Sequence, residues 1–139
     1  MNVTGLDGRE YNWNYSKYYK RKSRSGKSKP HNEALELVKS LYPHYTVYEE
    51  VTLPGSQIIG RRSLLFADLF LPQLSLIVEV HGQQHYEYIP HFHGDRIGFA
   101  KACKRDKDKV EWCRLNDISI AILPHNEKEQ WETIIQNSI

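Results

Sequence analysis

The sequence predicts an α/β fold, a mixed sheet flanked by helices, with the element order αβββαβα. Three observations carry that prediction. Two segments with apolar residues at three- and four-residue spacing bracket three strand-like runs, and the last two runs flank the tight turn Pro72-Gln73-Leu74. The third is length: 139 residues house one core of ordinary size and not a second. Helices laid on the sheet are the packing that buries both kinds of apolar surface.

The first helix follows Pro30, where Ala34, Leu37, Val38 and Leu41 recur at helical spacing, with Asn32 as its cap and Pro43 closing it. From Tyr45 to Leu53 the chain is rich in β-branched and aromatic residues and stops at Pro54-Gly55. Ser63 to Leu71 and Ser75 to His81 form the hairpin. A loop with His85, His91 and His93 leads to a longer helix from about Gly98 to Leu115. A strand from Ile118 to Leu123, then Pro124, precedes a short helix around Trp131 to Ile135. No internal repeat is present.

Charge divides the chain unevenly. Its formal balance is +2, yet the stretch from Lys17 to Lys29 holds seven basic residues (Lys17, Lys20, Arg21, Lys22, Arg24, Lys27, Lys29) and no acidic one. The remaining 12 basic residues face 17 acidic ones, a balance of −5. A basic segment on an acidic body suits a polyanion, because phosphate neutralisation with counterion release supplies most sequence-independent affinity. Tyr11, Trp13, Tyr15, Tyr18 and Tyr19 interleave it, as rings that stack on unpaired bases or pack back on the body. The expected division is therefore a basic, Tyr-rich, DNA-contacting segment over 1–30, with Lys17, Tyr18, Tyr19, Lys20, Arg21, Lys22, Arg24, Lys27 and Lys29 at the backbone, and a body over 31–139.

Mean hydropathy is −0.64, and no apolar run approaches the ~18 residues of a membrane span, so a membrane partner is not expected. The opening MNVTGLDGRE lacks the basic start and apolar stretch of an export signal. Cys103 and Cys113 lie ten residues apart on one expected helix, roughly 15 Å along its axis and too far to bridge. A reducing, cytoplasmic setting is the expectation.

Chemistry is expected on the hairpin. Alternation puts Leu64, Phe66, Asp68 and Phe70 on one face of its first strand, and Ile77, Glu79 and His81 on one face of its second. If Pro72 pairs with Ser75, Asp68 lies opposite Glu79. Two carboxylates side by side destabilise a sheet, by as much as about 4 kcal/mol at an effective dielectric of ~20. Either a hard divalent cation compensates, or the register differs and one carboxylate faces solvent.

The second helix adds an independent signal. Phe99, Cys103, Asp106, Val110 and Cys113 follow at spacings that form one stripe, so Asp106 sits among apolar residues while Asp108 turns to water. A carboxylate so placed needs a partner. It is either an imidazole of the segment His81 to His85, His85 being favoured as a general base with Asp106 behind it, or an Arg or Lys in a structural bridge. Glu33 borders the core side of the first helix, where a carboxylate also favours the helix dipole.

Asp68, ten residues, then Glu79-Val80-His81, on a hairpin inside αβββαβα, resembles the PD-(D/E)xK nuclease core with histidine in the usual lysine position. Glu33, Asp68, His81-Gly82-x-x-His85 and Arg105-Asp106 resemble its Glu-Asp-x-His-Asp branch, which holds the very-short-patch repair endonucleases and related phage homing endonucleases. The likeness covers about Glu33 to Leu123 and implies a restriction-endonuclease-like core. It further implies that Asp68 binds Mg²⁺, or Mn²⁺ in its place, with the Val80 carbonyl and Glu79 near it. His85 then activates water, Asp106 orients His85, and Glu33 and His81 assist at the metal or phosphate.

The patch-repair relatives carry structural zinc. Here only His91, His93, Cys103 and Cys113 are on offer, with no CxxC pair, so zinc is not expected. The His-Gly-to-His interval is one residue shorter than in those relatives, and Glu79 stands where they are apolar. The shorter interval favours the homing-like enzymes over T:G mismatch specificity, and Glu79 makes the implied metal shell more acidic. The expectation is a Mg²⁺-dependent DNA endonuclease, located in the host cytoplasm if phage-encoded. The alternatives are a nuclease acting on branched or single-stranded recombination intermediates, and a nucleic-acid-binding module without turnover.

Overall fold

The computed structural model describes residues 1–18 and 28–139. Tyr19, Lys20, Arg21, Lys22, Arg24 and Lys27 lie outside the described residues. In chain order the elements are β1 (Asn2–Thr4), β2 (Glu10–Asn12), α1 (Lys29–Leu41), β3 (Tyr48–Thr52), β4 (Phe66–Leu71), β5 (Leu76–His81), α2 (Pro90–His93), α3 (Arg96–Leu115), β6 (Ser119–Pro124) and α4 (Trp131–Asn137). The αβββαβα order is present from α1 onward, with α2 added as a single turn in the histidine loop. The chain is thus an α/β protein built on a four-stranded mixed sheet.

That sheet has the order β3-β4-β5-β6. The first three strands are antiparallel, and β5 to β6 is a parallel crossover through α3. Leu69 faces Val78 and Leu71 faces Leu76, the register in which Asp68 comes opposite Glu79. Each face carries a core. Ala34 and Val38 of α1 and Trp131 and Ile135 of α4 meet Leu69, Leu71, Val78 and Leu123 on one side. Trp112 and Cys113 of α3 meet Val51, Phe70 and Ile77 on the other.

The amino-terminal segment belongs to that second core. β1 and β2 pair as a small hairpin the sequence reading did not foresee. Trp13 stacks on Phe70 at 4.5 Å between ring centroids and donates Nε1–H to the Thr52 carbonyl at 2.9 Å. Asn116 accepts from the Thr4 amide and donates to the Thr4 carbonyl. Gly55, at φ 72°, lets the hairpin close on the loop after β3, because a Cβ there would stand 2.6 Å from the Gly5 Cα. The described residues before position 19 thus pack on the body, and α1 runs through residue 30. Tyr18, expected at the DNA backbone, is 7% exposed within this core. Tyr15 packs edge-on against Tyr48 and Phe70.

Several boundaries and one helix face differ from expectation: β3 begins at Tyr48 and β4 at Phe66, each three residues later than expected. α1 starts before Pro30, because proline's missing N–H and fixed φ suit a first turn; its cap is Ser28, whose Oγ accepts from the His31 amide, and not Asn32. β6 runs through Pro124, which an edge strand tolerates. On α3, Val110 is exposed, whereas Asp108 is buried and Trp112 fully so. The stripe fails because the inward face in mid-helix carries charges answered by partners from elsewhere in the chain. No helix among the described residues is long and apolar enough to cross a membrane.

Candidate active site

The sheet is interrupted around Asp68. Its ladder with β5 is regular as far as Leu69 and Val78; beyond that pair, side chains take over. The Asp68 amide donates to Glu79 Oε2 at 2.7 Å, and the Val80 amide donates to Asp68 Oδ2 at 2.9 Å. On the other edge, pairing with β3 skips Glu50, which sits at φ 50° in the left-handed region between the pairs Glu49 with Leu69 and Val51 with Ala67. That conformation costs a non-glycine residue about 1–2 kcal/mol. Asp68 thus occupies a point where both neighbouring strands are held by something other than a continuous ladder.

The two carboxylates fare differently. Glu79 is 1% exposed, and its second oxygen is taken by the Lys109 ammonium of α3. Burial, then the negative charge of Asp68, pushes the Glu79 carboxyl up to about 7, against the pull of Lys109. Burial works against the Lys109 charge too, but Glu79, with Asp68 and Asp106 behind it, more than offsets it, so Lys109 is held above its ordinary value. Lys109 therefore supplies the compensation that a cation was expected to give at Glu79, and each Glu79 oxygen already accepts one hydrogen bond. Asp68 uses only Oδ2; among the described residues no donor meets Oδ1.

Past the end of β5, a 3₁₀ turn over Gln83–His85 carries His85 toward α3. Its Nδ1 lies 2.9 Å from Asp106 Oδ2. An acceptor there requires the proton on Nδ1 and leaves Nε2 as the free lone pair of the neutral ring. Asp106 would be raised by its burial, but the hydrogen bond and charge of His85, with His81 and Lys109 behind, hold it below the usual carboxylate range. The His81 ring lies parallel to that of His85, 4.0 Å between centroids. Burial, and next the charge of His85, lowers His81 to about 4. It is a neutral plate under His85 at physiological pH.

Asp68, Val80, His85, Arg105, Asp106 and Lys109 line one cavity of about 620 Å³, within the ordinary size range of ligand pockets. The structure brings these together, but not Glu33, which pairs with Lys128 at 2.9 Å and does not line the cavity. In its stead His31, two residues earlier on α1, lines the wall with Nε2 3.0 Å from Glu49 Oε1. Lys29 and Lys17 are exposed at the two ends of the basic stretch. Ser28, next to Lys29, lines the cavity as well.

A hard cation asks for oxygen ligands with open positions. The unspent Asp68 Oδ1 beside the Val80 backbone fits that demand; Glu79, also on the cavity wall, would meet it only with oxygens that already accept from the Asp68 amide and Lys109. Among the described residues one group of three ligating side chains lies within 4.8 Å, namely His81, His85 and Asp106. Its two rings are stacked, and His85 commits Nδ1 to Asp106 while Nε2 stays open. His91, Cys103 and Cys113 are in no such group, and burial pushes the Cys113 thiol up to about 12.

The sequence reading missed Lys109, His31 and Glu49. Lys109 had a local signal, three residues beyond Asp106 and so on the same helix face. The His31–Glu49 pair joins α1 to β3 across 18 positions and leaves no periodic mark.

No protein-family model matches the chain, and no solved structure matches it. Over 62 residues, 45% of its length, the chain is 37% identical to "Uncharacterized protein 307L" of Invertebrate iridescent virus 6. Those residues are 32% of that protein, so the chain matches about a third of its viral relative.

Proposed function

We propose that this chain is a Mg²⁺-dependent endonuclease that hydrolyses DNA phosphodiester bonds on a restriction-endonuclease-like core of the Glu-Asp-x-His-Asp branch. The observation that carries the reading is the convergence, in one cavity, of a carboxylate with an unspent oxygen (Asp68) and a histidine backed by a carboxylate (His85–Asp106). A metal-ligating carboxylate beside an oriented base is what attack of water on a phosphate diester requires. The seven basic residues ending at Lys29, beside a wall residue of the cavity, support a polyanionic substrate.

In this reading Asp68 holds the cation with the Val80 carbonyl, and bound Mg²⁺ supplies charge neutralisation at the phosphate. His85 Nε2 takes a proton from the attacking water. Asp106 keeps the other proton on Nδ1 and stabilises the ring once it is charged. His81 stays neutral, so that no second positive ring competes in the stack. Arg105, on the cavity wall, meets phosphate oxygens. Glu33, held by Lys128, is left without a part in the chemistry.

The test is nicking of supercoiled plasmid by the purified chain in Mg²⁺ and in EDTA. Relaxed circles in Mg²⁺ alone are expected. Retention of plasmid in gel shifts without cleavage in either condition makes the chain a binding module, and equal cleavage in EDTA removes the cation from the reading. One observation favours a substrate with unpaired bases: Phe66 and Phe92, both on the cavity wall, are 51% and 60% exposed. Exposed rings beside a phosphate site stack on splayed bases. Faster cutting of forked or single-stranded than of fully paired oligonucleotides is the outcome that supports it.

A further inference from the structure

We infer that His31, held by Glu49, is the general acid that protonates the leaving oxygen of the phosphodiester. The inference rests on the nuclease reading and extends it to a residue that reading leaves unused.

The cavity is served by two histidine–carboxylate pairs of opposite sense. His85 commits Nδ1 to Asp106, and its Nε2 remains. His31 commits Nε2 to Glu49, and its Nδ1 has no partner among the described residues. That Nδ1 is also not one of the sealed, unpartnered nitrogens of the interior. The pairs sit on either side of Asp68 in the sheet. Glu49 belongs to β3, Asp68 to β4, and His85 follows β5, in the strand order β3-β4-β5. A displacement at phosphorus has the same arrangement, with entering and leaving oxygens on opposite sides of the atom that the cation and Asp68 hold.

Proton traffic then balances. A water oxygen forms a bond to phosphorus as His85 Nε2 accepts one of its protons. The bond from phosphorus to the bridging oxygen breaks, its electron pair staying on that oxygen. His31 in its protonated form delivers the Nδ1 proton there and ends neutral, with Nε2–H still on Glu49. The products are a phosphomonoester and a free hydroxyl, and solvent returns one proton to His31 and takes one from His85. Glu49 contributes by stabilising the charged ring before the transfer.

A purely structural role for the pair, tying α1 to β3, gives a different result in one experiment. The leaving oxygen is first identified from the end groups of cleaved product. Oligonucleotides are then made with sulfur in that bridging position, since a thiolate departs without being protonated. All reactions contain Mn²⁺, which tolerates sulfur better than Mg²⁺ does. His31→Gln places an amide where Nε2 was, keeping a donor to Glu49 and losing the transferable proton. It is expected to slow the oxygen substrate by 10²- to 10³-fold, in the usual range for lost acid catalysis, and the sulfur substrate by less than about threefold. His85→Ala is expected to slow both alike. Equal slowing of both substrates by His31→Gln, or slowing of neither, overturns the assignment. Should His31→Gln fail to fold, Glu49→Gln serves, with the same selective loss expected and the same equal loss overturning it. If the wild-type chain cuts neither substrate, the nuclease reading falls and takes the acid with it.

Discussion

Helix α3 carries two aspartates, two residues apart, in opposite circumstances. Asp108 is 6% exposed and fully answered: Oδ2 accepts from Arg61 Nη1 at 2.7 Å, and Oδ1 from Lys104 Nζ at 2.7 Å. Arg61 in turn gives Nη2 to the Ser56 carbonyl. Asp106 is half-buried on the cavity wall, and it is hydrogen-bonded to a titratable ring that keeps a free nitrogen. Both carboxyls lie below the usual carboxylate range, each because its hydrogen bonds and nearby cations outweigh its burial. Burial and a shifted carboxyl therefore do not separate a structural charge from a chemical one. What separates them is bonding capacity left over where a ligand can reach, and that is found at Asp68 Oδ1, His85 Nε2 and His31 Nδ1.

The largest effect on that contrast is expected at Asp68. Asp68→Asn keeps a carbonyl oxygen to accept from the Val80 amide, so the sheet is retained, while the charge available to a cation is lost. Plasmid nicking should fall by about 10³-fold or more with DNA retention in gel shifts nearly unchanged. Cleavage at the wild-type rate would move the cation elsewhere. Next come His85→Ala, expected to cost on the order of 10²- to 10⁴-fold, and Asp106→Asn, which keeps the ring placed but gives its charge less support. The double variant should be little slower than His85→Ala alone, because a base and its orienting group act as one unit. Rate losses that simply multiply would put Asp106 in the same class as Asp108.

Asp108→Ala probes the other side of the comparison. Removing the carboxylate leaves the Arg61 guanidinium, already with an unpartnered Nε, buried without its counter-charge. Breaking such a pair costs on the order of 3 kcal/mol. Urea unfolding should show that loss, while the nicking rate of the folded fraction stays at the wild-type value.

How these residues could be read from sequence differs for a physical reason. Asp68 opposite Glu79 was legible because strand alternation and a short turn fix a hairpin register within a residue or two. The Asp106–His85 pair was legible because a carboxylate on an inward helix face demands a partner, and few partners lay near. Asp108 was read as facing water because its partner Arg61 comes from an irregular loop 47 positions away. Lys109 carried a local signal, three residues beyond Asp106, but its partner Glu79 lies 30 positions away and leaves no periodic mark. The β1–β2 hairpin was missed because three-residue strands are too short to show alternation, and Trp13 and Tyr18 were weighed as binding residues because of the basic run beside them. Charge marked that segment correctly as unusual, yet it said nothing of where the aromatic rings go.

The smallest expected effect is one of pH, and it tests the neutral plate beneath His85. His81 titrates near 4 in the folded chain and near 6.5 when unfolded. Between those values the unfolded chain binds a proton that the folded chain refuses, so this group's contribution to stability rises with pH and is lost as pH falls from about 6.5 toward 4. Its full extent is about 3 kcal/mol at 1.36 kcal/mol per unit, and about 2 kcal/mol of it should be expressed by pH 4.5. Glu79, raised to about 7, acts with the opposite sign over an overlapping window, its contribution lost as pH rises from about 4.5 through 7. The wild-type profile alone therefore mixes the two. The difference between His81→Asn and wild type isolates one, since Glu79 is common to both. In urea titrations without added metal, whatever His81→Asn costs at pH 7 should shrink by about 2 kcal/mol at pH 4.5, because the variant no longer resists protonation there. A difference constant across that range would mean that His81 takes up its proton in the folded state, and the ring beneath His85 would then be no neutral plate in acid.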